Sequence, residues 1–480
     1  MILGQITAEP GWGSAGGGVL LLATYELGHQ PLSLAWPQAT LARAGHRATV
    51  VDLSVAAFPA GAAAAADFVG ISVPMHTAMR LGVQAAQRVR QLNPKSHICF
   101  YGLYAALNAG YLLNPQAGAG ALADSVIGGE YEGPLTQLVT ALRTGRDPTI
   151  VPGVSSRGHV VAPSLARQSL PAPERTQLPP LSHYARYVEN GAIRLSGYVE
   201  ASRGCLHTCR HCPVTPVYQG RFTVVPFDTV MADVRQQVRA GAGHITFGDP
   251  DFLNGPGHAL RLARGLHAEF PDLSFNFTTK VEHILQHRRL VPEFRDLGAR
   301  FIVSAFEATS DRVLERLNKG HTVADLDAAL GIARDAGLHI QPTWVPFTPW
   351  TTLDDYTNLL AWIAGRELIA FVPPVQLSIR LLAPPGSALL DHADAASWVG
   401  PLDAANFVYT WRHPDPAMDD LQKEVARLAE RASASGALAA ETFVAIASLA
   451  YAKAGRPAPL LPEPTTAWPS PPRLTEDWFC

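Results

Sequence analysis

The chain has 480 residues, 47% of them apolar, and a formal net charge of −3 from 38 basic and 41 acidic side chains. That length calls for two or three domains, and the near-neutral charge gives no reason to invoke nucleic acid or an anionic membrane surface. Five cysteines, three of them clustered, do not make a disulfide framework. No apolar stretch of about 20 residues runs free of charge and Pro/Gly breaks, and the Gly-rich start lacks the basic n-region of a secretory leader. A reducing cytoplasm is the expected location.

From Val19 the chain alternates short β-branched runs with helical patterns. Val19–Ala23, Ala48–Asp52, Phe68–Val73, His97–Tyr101 and Ser125–Ile127 read as strands, with helices over Leu34–Ala44 and Thr77–Leu92 between them. This pattern predicts a doubly wound parallel sheet over residues 19–148, with ligands at the carboxyl ends of its strands. Residues 149–195, rich in Pro, Arg and Ser, read as a linker.

A second βα series follows, with strands at Tyr198–Glu200, Ile245–Phe247, Phe275–Phe277, Phe301–Val303, Ile340–Thr343 and Val375–Ser378. Helices such as Asp228–Ala240 and Thr322–Ala336 alternate with them, which predicts a partial (β/α)6 barrel over residues 196–394. Residues 395–456 read as helical, including Met418–Ser435 and Leu438–Ala454. Residues 457–480 read as a Pro-rich, extended tail.

The chemistry concentrates in Ser202-Arg-Gly-Cys-Leu-His-Thr-Cys-Arg-His-Cys-Pro213, on the loop after the first barrel strand. Cys205, Cys209 and Cys212 put three soft ligands on one tight loop, enough to hold three irons of a [4Fe–4S] cluster and leave the fourth open. The competing reading is a structural zinc site, whose closed tetrahedron would need His207 or His211 as its fourth ligand.

The C-x3-C-x2-C run is the signature of the radical S-adenosylmethionine (SAM) superfamily, and the chain resembles it here. In that family the open iron binds SAM and passes it one electron, giving a 5′-deoxyadenosyl radical. Further segments resemble the family in order. Gly248-Asp-Pro-Asp251 stands where an acidic or glycine-rich turn meets the methionine amino group, which nominates Asp249 and Asp251. Ser304-Ala-Phe-Glu307 resembles the stretch that contacts ribose and carboxylate, nominating Ser304 and Glu307. His211 stands where an aromatic side chain often shields the adenine, and Lys319-Gly-His-Thr322 resembles the loop that follows. The resemblance implies a flavodoxin- or ferredoxin-type reductant and a small-molecule or peptide substrate. Pro346–Trp350 and His76 are expected to line its cavity. No residue is assigned a catalytic role beyond these.

The doubly wound domain before the barrel resembles the cobalamin-binding domain of one class of these enzymes, where cobalt ferries a methyl group. The matching residues are Gly45-His46, Asp52, Ser72 and Ile127-Gly-Gly-Glu130, making Ser72, Gly128, Gly129 and Glu130 candidate cobalamin contacts. The Asp-x-His-x-x-Gly motif that supplies a lower axial ligand is absent, and His29 is the candidate in its place. Its competing reading is a helix-entry histidine making a local hydrogen bond.

Whole phrases, including Thr24–Pro31, Ser72–His76, Tyr101–Tyr104, Pro346–Thr352, Ser378–Leu382 and Leu474–Cys480, resemble the proteins named for a CUAEP or CCAEP tail. There a Cys precedes Cys or selenocysteine, then Ala-Glu-Pro. The present chain stops at Cys480, so a selenocysteine codon read as a stop is expected after it, with Cys480 part of a redox tail. The resemblance implies a radical SAM enzyme, with cobalamin-assisted methyl transfer the preferred reaction. Transfer of an aminocarboxypropyl group, a radical rearrangement without cobalamin, and a non-catalytic iron–sulfur sensor are the alternatives.

Overall fold

The structure is a computed structural model and describes residues 18–115, 121–458 and 471–476. Cys480 lies outside the described residues. The chain divides into two compact units, residues 1–183 and 184–480.

In the first unit, continuous apolar runs make strands buried on both faces, as a helix-covered parallel sheet requires. The strands are β1 (Gly18–Ala23), β2 (Ala48–Asp52), β3 (Ala66–Ser72), β4 (His97–Tyr101), β5 (Ser125–Ile127) and β6 (Val154–Ser156). Their order is β2-β1-β3-β4-β5-β6, with the first five parallel and β6 antiparallel to β5. Helix His76–Leu92 buries Ala78, Met79, Val83, Ala86 and Val89, the apolar stripe that its i, i+3, i+4 spacing predicts. Leu21, Phe68, Cys99, Tyr101, Leu135 and Leu138 meet in the core.

Residues 149–183, expected to be linker, are placed inside this unit. They supply β6, and much of the rest is irregular but pinned by long-range contacts. Trp36 Nε1 donates to Pro171 O at 3.0 Å, Arg175 donates to Gln30 Oε1 at 2.7 Å, and Leu170 and Leu178 are buried. Residues 186–189 and 192–195 likewise belong to strands of the second unit.

That second sheet contains β7 (Arg186–Glu189), β8 (Ala192–Val199), β11 (Ala242–Phe247), β12 (Ser274–Thr278), β13 (Ala299–Glu307), β14 (His339–Trp344) and β17 (Arg473–Leu474). Their order is β14-β13-β12-β11-β8-β7-β17. Strands β8, β11, β12, β13 and β14 run parallel, while β7 and β17 add antiparallel edges. A short antiparallel pair, β9 (Ser202–Gly204) and β10 (Phe222–Val224), brackets the cysteine loop. The sheet is thus an open half-barrel. Near its first edge His244 lies flat on Tyr187, ring centroids 3.9 Å apart, and bonds Ser274 and Asn276 at 2.8 and 2.9 Å.

Three expectations are corrected here. The sixth barrel strand, expected at Val375–Ser378, is a 3-10 turn, Pro374–Ser378. Pro374 at its start has no N–H to give a ladder and presets a helical φ. Residues 379–381 keep a remnant of the strand, exchanging two backbone bonds with Phe347. Residues 395–456, expected to be helical, open with a hairpin, β15 (Val399–Asp403) and β16 (Val408–Trp411), before helices Pro416–Ser435 and Ala439–Lys453. The tail is not wholly free, because β17 pairs with β7 and buries Leu474 against Tyr187, Phe301 and Val303. Leu474→Ala should therefore lower the stability of this unit by about 2 kcal/mol in chemical denaturation, the usual cost of a core cavity. An unchanged midpoint would mean the edge strand contributes no packing.

Among the described residues no helix is long and apolar enough to cross a membrane.

Candidate active site

The cysteine loop leaves β9 at Gly204, whose φ is +76° and where a Cβ would stand 2.4 Å from Arg221 O, so only glycine fits the turn. Cys205 N donates to Arg221 O at 3.1 Å and Cys212 N to Cys209 O at 3.2 Å. Asn254 Oδ1 accepts from Leu206 N at 3.2 Å. On the far side Arg210 donates to Leu317 O and Arg316 O, and Asn318 Nδ2 donates to Thr208 O at 2.9 Å. The loop is thus tied to two separate barrel segments, so its three thiols are held before any ligand arrives.

Burial first, then the Asp251 carboxylate, raises the Cys205 thiol to about 12, and burial with the neighbouring Cys209 raises Cys212 to about 11. In that environment thiols stay protonated until metal replaces the protons. Three gathered thiols with no disulfide fit three ligands of a [4Fe–4S] cluster. The zinc alternative loses its fourth ligand, because His211 Nε2 meets Glu307 Oε1 at 3.1 Å and His207 faces Asp251 and Glu282, each at 3.5 Å.

Beside the thiols lies an ion pair that the sequence reading did not single out. Lys319 Nζ stands 3.0 Å from Glu307 Oε1, both side chains almost fully buried. Burial alone would push Glu307 up, but the Lys319 ammonium and His211 outweigh it and hold the carboxyl well below its usual range. Burial likewise works against the Lys319 cation, yet the Glu307 carboxylate keeps it charged. Glu307 sits at the end of β13 with φ +67°, a left-handed conformation that costs a non-glycine residue energy and recurs at functional sites. Two residues before the Phe306–Glu307 step, Ser304 Oγ is fully buried with no hydrogen-bond partner. An orphaned hydroxyl there fits a ligand's polar group.

The two aspartates are engaged by the protein itself. Asp249 accepts from Ala201 N at 3.0 Å and Ser202 Oγ at 2.5 Å, with burial raising its pKa to about 7. Asp251 is fully buried and accepts from Thr279 Oγ1 at 2.7 Å and Leu253 N at 3.1 Å. Asp249 thereby ties its turn to the strand that leads into the cysteine loop. Residues 346–349, expected in the cavity wall, are buried, and Phe347 packs on Tyr356.

In the first unit Ser72 Oγ, at the carboxyl end of β3, is buried without a partner. Gly128, Gly129 and Glu130 are covered by the chain's own residues 163–165. Glu130 N donates to Ser164 O at 2.7 Å, and a Cβ on Gly129 would lie 2.2 Å from that oxygen. His29 is only 4% exposed, and burial lowers its pKa to about 4. Because the folded state favours the neutral ring, His29 binds fewer protons folded than unfolded between pH 4 and 6.5. Stability of this unit should be full above pH 6.5 and fall by about 3 kcal/mol as pH drops toward 4. His29→Gln should flatten that slope in urea titrations at pH 5 and 7.5. An equal slope in both proteins would place the pH dependence elsewhere.

Comparison with known proteins agrees with this geometry. Residues 199–353 match the model of the Radical SAM superfamily. Over 156 residues the chain is 28% identical to the tRNA-2-methylthio-N(6)-dimethylallyladenosine synthase of Chlorobium phaeovibrioides, covering 30% of this chain and 33% of that protein. The chain therefore spans only about a third of that relative's length. In structure it is similar to the radical SAM methyltransferase TsrM of Kitasatospora setae, with TM-score 0.62 and 16% identity over 80% of this chain and 77% of that one. It is also similar to the cobalamin-dependent radical SAM enzyme OxsB, with TM-score 0.66 and 14% identity over 85% and 66% of the two chains. Residues 199–353 thus match a radical SAM domain, whose cofactors are a [4Fe–4S] cluster and SAM, and the chain has the fold shared by TsrM and OxsB.

Proposed function

We propose that the chain is a radical SAM methyltransferase that uses cobalamin on its first unit to methylate a small molecule or peptide. The observation that carries the reading is the set of three protein-tied thiols beside a buried Lys319–Glu307 pair at the ends of the parallel strands. When bound, the cluster and SAM supply one-electron reductive cleavage to a 5′-deoxyadenosyl radical.

The chain's residues do the rest. Cys205, Cys209 and Cys212 would hold three irons of the cluster as thiolates. The Lys319 cation, close enough to Cys209 and Cys212 to act on both thiols, offsets the negative charge that their ionisation brings. Glu307 fixes Lys319 and orients the His211 ring, which would hold the adenine side of SAM. Ser304 offers its unused hydroxyl to SAM. Asp249 and Asp251 keep the opposing turn in place.

For cobalamin, TsrM has been captured with cobalamin and a [4Fe–4S] cluster, and OxsB with aqua-cobalamin. The doubly wound first unit and the orphaned Ser72 hydroxyl at a strand end support the same ligand here. His29 is buried, so Ser72 is the strand-end residue that would hold the corrin. Protein incubated with hydroxocobalamin and desalted should retain about one corrinoid per chain, with less on a Ser72→Leu variant. Colourless protein would remove cobalamin and leave a radical reaction without it. The finer assignment to the CUAEP/CCAEP group rests on the phrases Pro346–Thr352 and Ser378–Leu382.

A further inference from the structure

The cysteine loop contributes a second donor set besides its thiols. His207 lies between Cys205 and Cys209, Asp251 follows β11, and His283 is on the short helix Val281–Gln286 that follows β12. His207 Nε2, His283 Nδ1 and an Asp251 carboxylate oxygen lie within 4.8 Å of one another. His283 Nδ1 is 2.9 Å from Asp251 Oδ2, and His207 Nε2 is 3.5 Å from the same oxygen. Neither contact is well aligned as a hydrogen bond, although both ring nitrogens are buried, and Lys280 N also donates to Asp251 Oδ2 at 3.4 Å. Asp251 is 0% and the His283 side chain 7% exposed.

Two imidazole nitrogens turned on one carboxylate oxygen without hydrogen-bond geometry are poorly explained as a polar network, since buried donors seek acceptors. They are well explained as donors to a shared cation. Around a four-coordinate ion with metal–donor bonds of about 2.0–2.1 Å, donors sit about 3.3 Å apart. That separation falls between the observed 2.9 Å contact and the 4.8 Å spread. The surroundings also suit a metal. The other Asp251 oxygen accepts from Thr279 Oγ1 and Leu253 N, and His207 Nδ1 faces Glu282 Oε2 at 3.5 Å, the outer partners that orient ligating carboxylates and imidazoles.

We propose that His207, Asp251 and His283 form a mononuclear site for a divalent transition-metal ion of the zinc class, distinct from the iron–sulfur cluster. Two imidazoles and one carboxylate leave a coordination position open to water or substrate. The ion ties the cysteine loop to the ends of the second and third parallel strands. The proposal does not depend on cobalamin or on the group transferred.

The test uses the full chain with its cluster reconstituted, incubated with zinc chloride and desalted, with metals counted by mass spectrometry. Wild type should hold about four irons and one zinc per chain. His283→Gln and Asp251→Asn should keep iron and lose zinc at least tenfold in affinity. The Cys205/Cys209/Cys212→Ala triple variant should lose iron and keep zinc. Wild type without zinc, zinc indifferent to His283→Gln, or zinc lost with the thiols would each overturn the site. If the variants do not fold, cobalt(II) added to the cluster-free wild type in one equivalent decides. Visible d–d bands without thiolate-to-cobalt charge transfer support the site, and charge-transfer bands or no bands overturn it.

Discussion

Alanine at Cys205, Cys209 and Cys212 together should take iron in the anaerobically reconstituted protein to background and remove the broad ~400 nm absorbance that such clusters give. Formation of 5′-deoxyadenosine falls with it below detection. Every protein ligand is lost, so no partial cluster remains to support slow turnover. The cause is chemical and not a collapse of the fold, because Arg210, Asn254 and Asn318 anchor the loop largely through backbone groups that the substitutions leave in place. The variant should therefore keep its circular dichroism and its cooperative denaturation. Normal iron in the triple variant would sink the ligand assignment.

Lys319→Met has the largest expected effect on stability. It leaves Glu307 buried with His211 as its remaining side-chain partner, and removing one member of a buried pair costs about 3–5 kcal/mol. Combining it with Glu307→Gln removes the stranded charge and should recover much of that loss, so the two changes are strongly non-additive. Denaturant midpoints of the two singles and the double measure the coupling. Equal, additive and small losses would mean that the pair is solvated and does not act as the site's fixed charge. Lys319→Met should also weaken cluster retention, since its cation lies within reach of Cys209 and Cys212.

Much of the fold was legible because its strands are long apolar runs with clear punctuation. β2 and β4 fall where β-branched and aromatic content placed them, as does the helix ending at Leu92. What escaped was decided by contacts remote in sequence. Residues 157–180 are irregular almost throughout, as their prolines predict, yet Trp36, Gln30 and Arg175 bind them to the first unit. The short edge β17 becomes a strand only because β7 offers an unpaired partner. Val375–Ser378 has strand composition, but the preceding Pro373-Pro374 fixes a turn.

The site divides in the same way. Three cysteines on one loop announce themselves by spacing. The Lys319–Glu307 pair joins residues 12 apart in sequence, and a Lys-Gly step is common in exposed loops, so nothing local marked the lysine as buried. The left-handed Glu307 is equally silent in sequence. His283 lies 32 residues beyond Asp251, and the two meet only because β11 and β12 are neighbours in the half-barrel. Gly129 was legible only as a possible ligand contact, and nothing in the sequence showed that its missing side chain also makes room for Ser164.

The central claim is that this site cleaves SAM by one-electron reduction. Its most direct test is to reduce the reconstituted full chain with dithionite in the presence of SAM and quantify 5′-deoxyadenosine and methionine by mass spectrometry. The account predicts both products in roughly equal amounts, dependent on reductant and absent from the triple cysteine variant. Intact SAM after incubation with protein carrying its full complement of iron would contradict it, and would leave the chain an iron–sulfur sensor built on a radical SAM fold.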